Sequence, residues 1–130
     1  MTTKTKIIYG RIEVVYTQTI SIEGREVCIE MYSEDTSEHE LDIYFYLPEY
    51  STPGGVEFET LAKFRNPVKA ARNIFSTILS MMAEADNDAL WSYIYTPSTD
   101  KREALYEKIL RRAGYCAVGL GDSEYVIVNM

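Results

Sequence analysis

The fold of this chain is decided by residues 66–115, which read NPVKAARNIFSTILSMMAEADNDALWSYIYTPSTDKREALYEKILRRAGY. Asn66 is a favourable N-cap, and Pro67 suits the first helical position because its missing N–H would have no helical partner there. Apolar residues then recur at helical spacing as far as Ala85. This pattern predicts a helix over 67–85.

A strand and a second helix follow within the same stretch. An apolar run of strand type covers residues 90–95 and is bounded by a Thr-Pro pair. Asp100 and Glu103 then form an Asp version of the capping box, and Gly114 is typical of the residue just past a helix C-terminus. The second helix is therefore predicted over 100–113.

Upstream of this stretch the residues alternate between apolar and polar, which is typical of strands. Glu23-Gly24 supplies a tight turn, so a three-stranded antiparallel meander is expected. Proline and glycine make residues 48–66 the longest irregular connection, with an extended piece around 56–58. The predicted strands cover 7–22, 25–32 and 41–47.

Downstream, two more strands are predicted over 115–118 and 124–128, joined by a glycine-rich connection. The complete order is β-β-β-α-β-α-β-β. It predicts an α+β fold in which two helices lie against a mostly antiparallel sheet. A length of 130 residues fits a single domain over 1–130.

The composition limits the classes of partner. Thirteen basic and 20 acidic residues give a net charge of −7, which argues against direct nucleic-acid binding and suits a basic protein partner. No apolar run approaches the roughly 18 residues that a membrane helix needs. The polar start, Met1 to Lys6, lacks the apolar region of a secretory signal, so we expect a soluble cytoplasmic protein that does not bind membranes.

Cysteine and histidine are too sparse to predict a metal site. Cys28 and Cys116 lie far apart in predicted strands, which favours buried reduced thiols. His39 is the one histidine and lies in a polar loop without spaced cysteine partners. We expect no metal centre.

The order of elements resembles the GNAT (GCN5-related N-acetyltransferase) fold, whose second half runs strand, helix, strand, helix, strand, strand after a meander. Many members carry a helix ending in Leu-Tyr-Glu-Lys, followed by Gly and an aromatic residue. Residues 105–108 read Leu-Tyr-Glu-Lys here, and Gly114-Tyr115 follows after three more residues than usual. The resemblance is strongest from Arg65 to Met130 and implies a GNAT-like fold.

The chain is also similar to small phage proteins in which a Phe-Ser-Thr helix precedes an Arg-x-x-Leu-Tyr helix. The matching residues are 75–77 and Arg102 to Tyr106. This resemblance implies a phage origin and residence in the cytoplasm of the host cell.

The GNAT resemblance implies where acetyl-CoA would bind. In that family a Gln/Arg-x-x-Gly-x-Gly/Ala loop leads into the first of these helices and holds the pyrophosphate by backbone N–H groups. Arg65 and Ala70 fit the pattern, whereas Val68 replaces the central glycine and Pro67 lacks an N–H. The resemblance assigns acetyl-CoA to Arg65, Lys69 and Ala70, but we expect that no cofactor binds.

The same resemblance makes Tyr106 the general acid for the leaving thiolate. Tyr106 lies on the predicted core face, so a packed aromatic is the competing interpretation. Glu26, Glu30 and Asp42 are conceivable general bases, but acidic residues are common on the outer face of a strand and no spacing singles one out. The short Glu23-Gly24 turn also leaves no room for the helices that form much of the GNAT acceptor site.

The tyrosine content indicates a binding surface. Eleven tyrosines exceed what a core of this size needs, and tyrosine is enriched at protein interfaces. Period-2 spacing places Tyr44 and Tyr46 opposite Ile43 and Phe45, and Tyr93 and Tyr95 opposite Ile94. The alternative is that one of these tyrosine faces packs under the helices. The predicted interaction residues are Tyr44, Tyr46, Tyr50, Tyr93 and Tyr95, with Glu34, Asp35, Glu38 and Glu40 from the acidic loop.

These observations favour a non-catalytic GNAT-like protein-binding domain, a phage-encoded inhibitor or adaptor of a basic host protein. An acetyl-CoA-dependent N-acetyltransferase is the alternative function. A homodimeric structural or interaction protein is a third.

Overall fold

The computed structural model describes residues 3–5, 12–34, 39–49, 57–88 and 90–130. Its fold is α+β with a mostly antiparallel sheet, as predicted. The strands are β1 (Thr3–Thr5), β2 (Ile12–Ile22), β3 (Arg25–Glu34), β4 (Glu40–Tyr46), β5 (Ser92–Tyr95), β6 (Tyr115–Gly121) and β7 (Glu124–Asn129). The helices are α1 (Glu57–Ala62), α2 (Pro67–Ala85) and α3 (Asp100–Arg112).

Within the described residues the strands form one sheet in the order β1-β2-β3-β4-β5-β7-β6. The β2-β3-β4 meander is antiparallel, as predicted. β4 and β5 are parallel, because α2 crosses over between them and returns the chain in the same direction. This parallel pair joins the meander to the β5-β7-β6 half of the sheet.

Two tight turns set the hairpin registers. Glu23 and Gly24 have φ values of 52° and 75°, and Asp122 and Ser123 have values of 49° and 65°. Positive φ at both central residues belongs to the type I′ turn, whose twist matches that of antiparallel strands. The second turn is tighter than the predicted glycine-rich connection, so β6 continues to Gly121.

The order of elements differs from the prediction by β1 and α1. An extended piece around 56–58 is wrong for residues 57 and 58, which lie in α1, while residues 7–11 of the first predicted strand fall outside the described residues. α1 and the turn after it bury Leu61 and Phe64, and the Thr60 hydroxyl donates to the Phe45 carbonyl over 3.5 Å. Tertiary burial therefore outweighs the local loop signal.

The starts of the two long helices illustrate one confirmed cap and one correction. The Asn66 side chain accepts a hydrogen bond from the Lys69 N–H at 3.0 Å, which confirms Asn66 as the N-cap of α2. For α3 the N-cap is Thr99, whose hydroxyl accepts from the Arg102 N–H at 3.1 Å, so the predicted capping box at Asp100 is wrong by one residue.

All three described helices bury apolar side chains in one core against the same face of the sheet. Val27, Ile29 and Leu41 are core residues of that face. Cys28 and Ile94 are also buried but lie outside this cluster, because alternation along the strands turns them to the other side. We call that other side the helix-free face, since none of the described helices packs on it.

Two tyrosines anchor the end of α2 to the sheet. The Tyr93 hydroxyl lies 2.5 Å from Oδ1 of Asp86 and 3.0 Å from the carbonyl oxygen of Met82. The Tyr16 hydroxyl donates to Asp88 at 2.8 Å. Burial and the Asp88 carboxylate raise the pKa of Tyr16 to about 12, and burial and Asp86 raise the pKa of Tyr93 as well. Both hydroxyl groups are therefore protonated at neutral pH and act as donors.

Candidate protein-binding face

The helix-free face of β3 and β4 has a single sign of charge. Alternate residues of the two strands point to it, and the complementary set, which includes Val27, Ile43 and Phe45, packs into the core. The strands contribute no lysine or arginine to this side. We call this surface the acidic tyrosine face and define it by Glu26, Glu30, Tyr32, Glu40, Asp42 and Tyr44.

A stacked aromatic pair lies in the middle of this face. The rings of Tyr32 and Tyr44 are 5.1 Å apart with an interplanar angle of 10°, and both side chains are half-buried. Tyr44 pairs with Glu30 across the strands and Tyr32 pairs with Asp42, so each ring has a carboxylate directly opposite. The pair presents a broad, rigid contact area at low entropic cost.

Glu30 is held where its charge is unfavourable. The Tyr46 hydroxyl donates to Oε2 of Glu30 at 3.4 Å, and Tyr46 itself is 6% exposed. Burial raises the pKa of Glu30, and the Tyr46 contact offsets only part of that effect. Burial also raises the pKa of the neighbouring Cys28 thiol. Within the described residues no cation is a main cause of the pKa shift of Glu30, and a half-buried carboxylate of this kind is suited to meeting a cation from a partner.

The predicted interaction tyrosines separate into two groups. Tyr44 is half-buried on the acidic tyrosine face, and Tyr46 is buried beneath that face. Tyr93 and Tyr95 are each 4% exposed and pack beneath the helices, so the prediction that β5 presents them as a contact surface is wrong. Ile94 on the other side of β5 is buried as well, because β5 lies inside the sheet between β4 and β7.

The predicted acidic residues lie partly outside the described chain. Glu40 is exposed at the start of β4 and belongs to the acidic tyrosine face. Glu34 is the last residue of β3. Asp35, Glu38 and Tyr50 lie outside the described residues.

The start of α2, where the GNAT resemblance would place acetyl-CoA, is occupied by groups of the protein itself. The Glu23 carboxylate accepts hydrogen bonds from the N–H groups of Arg65 at 2.8 Å and Asn66 at 3.0 Å. The Lys69 N–H donates to the Asn66 side chain. The Ala70 N–H donates to the Asn66 carbonyl, and Ala70 is fully buried. The N–H groups of these four residues are thus already paired.

The position of Glu23 at the start of α2 lowers the pKa of its carboxyl group. The two N–H donors, followed by the charge of Arg65, cause this lowering of the pKa. The carboxylate therefore behaves as an anion bound at a helix N-terminus, although it comes from the β2–β3 turn of the same chain. α2 has no acidic residue of its own in its first turn.

Tyr106 lies in an aromatic cluster beneath α3. It is 1% exposed, and its ring lies 4.6 Å from that of Phe75 and 6.0 Å from that of Tyr95. Tyr95 in turn stacks on Tyr125 at 5.8 Å. Its surroundings are those of a packed core aromatic.

Sequence reasoning missed Glu23 and Tyr32, and it weighed Glu26, Glu30 and Asp42 only as catalytic bases. The alternation that identified Tyr44 also places Asp42 on the same side of β4, so this part of the face was accessible from the sequence. The role of Glu23 was not, because it depends on a contact between segments 42 residues apart.

No protein-family model, curated protein or solved structure matches this chain. In the described ranges no helix is both long and apolar enough to cross a membrane. The same ranges contain no group of three His, Cys, Asp or Glu side chains that would hold a metal ion.

Proposed function

We propose that this chain is a non-catalytic GNAT-like protein-binding domain, a phage-encoded inhibitor or adaptor that binds a basic host protein through the acidic tyrosine face. The observation that carries this proposal is the combination of a stacked Tyr32–Tyr44 pair with surrounding carboxylates on two strands that contribute no basic residue to that side. Tyrosine supplies contact area, and the carboxylates supply orientation and attraction.

The electrostatics favour a basic partner at two ranges. A net charge of −7 attracts a cationic surface at long range and accelerates association. At contact, a lysine or arginine beside Glu30 would lower the carboxyl pKa that burial has raised. Binding then releases a proton, so affinity should increase as the pH rises through the pKa of Glu30 in the free protein.

The alternative N-acetyltransferase function is less well supported. Acetyl-CoA would need backbone donors at the start of α2, and Glu23 already accepts from two of them. Pro67 and Val68 depart from the loop pattern that the resemblance requires. Tyr106 is packed among Phe75 and Tyr95.

A titration with a synthetic peptide of about ten residues, rich in lysine and arginine, tests the proposal. We expect chemical-shift changes in NMR spectra to centre on Tyr32, Tyr44 and their neighbours. Glu26→Lys and Glu40→Lys should each weaken binding several-fold, since attraction across an interface is local. Glu84→Lys is the matched control: it changes the net charge equally at an exposed site on α2.

Two results would overturn the proposal. If Glu84→Lys weakens binding as much as Glu26→Lys, the attraction is a property of net charge and not of this face. If calorimetry detects acetyl-CoA binding at micromolar concentration, the enzyme alternative replaces it. Retained signal dispersion in each variant verifies that the fold is intact.

A further inference from the structure

β6 is an edge strand of the described sheet, and its regular part carries little of the usual protection. In the described sheet it pairs with β7 on one side, and its other side ends the strand order. Its seven residues, Tyr115–Gly121, include no charged side chain. Edge strands normally avoid pairing by being short, by carrying charges, especially lysine, or by a β-bulge, and β6 is irregular only between Gly119 and Gly121. β1, the opposite edge, is both short and charged, with three residues and Lys4 at its centre.

The same strand presents apolar side chains to solvent. Val118 and Leu120 are 47% and 53% exposed. Val118 alternates with Ala117 and Gly119, and Ala117 shares a side with the core residue Ile127 through the β6–β7 register, so Val118 lies on the helix-free face. The irregularity of the β6–β7 ladder is confined to Gly119–Gly121. Most of β6 therefore offers a regular apolar edge.

α3 packs on β6 and carries a graded charge along its outer side. A shallow groove of about 480 Å³ runs along this side. Acidic residues line its N-terminal part and basic residues its C-terminal part. In chain order the lining is Glu103, Ala104, Glu107, Lys108, Arg111 and Arg112.

This side of the molecule is less acidic than the remainder. α3 has three acidic and five basic residues, whereas the whole chain has 20 acidic and 13 basic residues. Repulsion between two copies of a protein with a charge of −7 is therefore smallest where β6 and α3 meet solvent. The β6 edge and the acid-to-base gradient of α3 are also self-complementary: a second copy rotated by 180° presents basic residues opposite the acidic ones.

We propose that two copies of this chain associate through their β6 edges, which pair antiparallel about a two-fold axis near Ala117, the middle of the regular part of the strand. The sheet then continues from one protomer into its partner. The two α3 helices lie antiparallel on either side of the axis, so that Glu103 and Glu107 of one face Lys108 and Arg111 of the other. An antiparallel strand pair and an acid-to-base helix are both self-complementary, which identifies a second copy as the occupant.

This dimer goes beyond the proposed function and is independent of it. The acidic tyrosine face lies on β3 and β4, on the other side of β5 and β7 from the edge. Both surfaces remain available at once, and a dimer would present two acidic tyrosine faces. A basic partner with repeated sites would then bind with higher apparent affinity.

Analytical ultracentrifugation of the intact protein tests the proposal. We expect a species of twice the 14.9 kDa chain mass that increases with concentration. Val118→Lys should raise the dimer dissociation constant at least tenfold, because it places two lysines near each other across the axis. Val68→Lys is the matched control: Val68 is an exposed valine on α2, 41% exposed, and its variant should dimerise like the wild type.

A charge exchange tests the arrangement of α3. A protein with Glu103→Arg and Glu107→Arg should not self-associate, and neither should one with Lys108→Glu and Arg111→Glu. Mixed in equal amounts, the two should form a heterodimer, since opposite charges then face each other across the axis. Circular dichroism must show unchanged helix content in each variant.

A wild-type protein that stays monomeric at about 0.5 mM would overturn the proposal, as would a dimer that Val118→Lys leaves intact. A dimer that Val118→Lys disrupts but the charge exchange leaves unaffected would overturn the antiparallel arrangement of α3.

Discussion

β4 and β5 are neighbouring parallel strands with a similar alternation of tyrosine and apolar residues, yet their tyrosines point to opposite sides of the sheet. Tyr44 of β4 lies on the helix-free face, whereas Tyr93 and Tyr95 of β5 lie beneath the helices. The register decides this difference, because Tyr93 pairs with the core residue Leu41 and not with Asp42. An alternating pattern identifies residues that share a face, and long-range pairing decides which face is buried.

The largest expected effect comes from removing one tyrosine ring on each face of the sheet, Tyr93 beneath the helices and Tyr44 on the helix-free face. Tyr93→Ala should reduce the free energy of unfolding by about 3–5 kcal/mol, because it leaves a cavity beneath α2. Tyr44→Ala should cost about 1 kcal/mol, since its ring is half-buried and loses mainly the stacking on Tyr32. Urea denaturation with unchanged m-values measures both. Equal losses would mean that the two strands are buried alike.

A smaller effect separates the two tyrosines of β5. Tyr93→Phe should cost about 1 kcal/mol, because the contact with Asp86 and the Met82 carbonyl is lost. Tyr95→Phe should be neutral or stabilise by about 1 kcal/mol, since within the described residues its buried hydroxyl has no hydrogen-bond partner. The phenyl rings keep the packing, so thermal melting compares the hydroxyl groups alone. A destabilised Tyr95→Phe variant would contradict this assignment.

The smallest expected effect concerns Glu30 beside the tyrosines of β4. Its raised pKa means that the folded state binds a proton more readily than the unfolded state, so this carboxyl group destabilises the fold as the pH rises through its pKa. Glu30→Gln should raise the melting temperature slightly at pH 7, and the gain should disappear near about pH 3. A gain that is constant with pH would show that charge is not its cause.

Glu23 provides the comparison of opposite sign: it lies in the β2–β3 turn and accepts hydrogen bonds at the start of α2, the helix that covers the tyrosines of β5. Its lowered pKa stabilises the fold above the ordinary value of 4.5, and this stabilisation is lost as the pH falls through the folded-state pKa. Glu23→Gln should therefore lower the melting temperature at pH 7 and have less effect near about pH 3. Parallel pH profiles for Glu23→Gln and Glu30→Gln would contradict the opposite shifts.

Local signals in the sequence were sufficient for the parts of the fold that depend on neighbouring residues. Asn66 and Pro67 identified the start of α2, and Glu23-Gly24 identified the β2–β3 turn, because capping and turn chemistry act over a few residues. α1 was missed because its burial through Leu61 outweighs a proline- and glycine-rich context.

Only part of the candidate site could be predicted from the sequence. Tyr44 and Glu40 were identified from composition and alternation, and the burial of Tyr93 was not. The β4–β5 register that buries Tyr93 depends on segments about 50 residues apart, and no local pattern encodes it. A tyrosine that completes the core and one that forms a contact surface have the same sequence signature until the sheet is assembled.

The contact between Glu23 and the start of α2 also bears on how the chain folds. The β2–β3 hairpin forms from residues close in sequence, whereas α2 lacks an acidic residue in its first turn and receives one from the hairpin turn. The groups that cap the start of α2 therefore come from two segments, Asn66 and the β2–β3 turn. The cap is complete only after the hairpin has formed. An isolated peptide of residues 65–85 should therefore be less helical than the same segment within the protein, and adding the hairpin to the peptide should restore part of the difference.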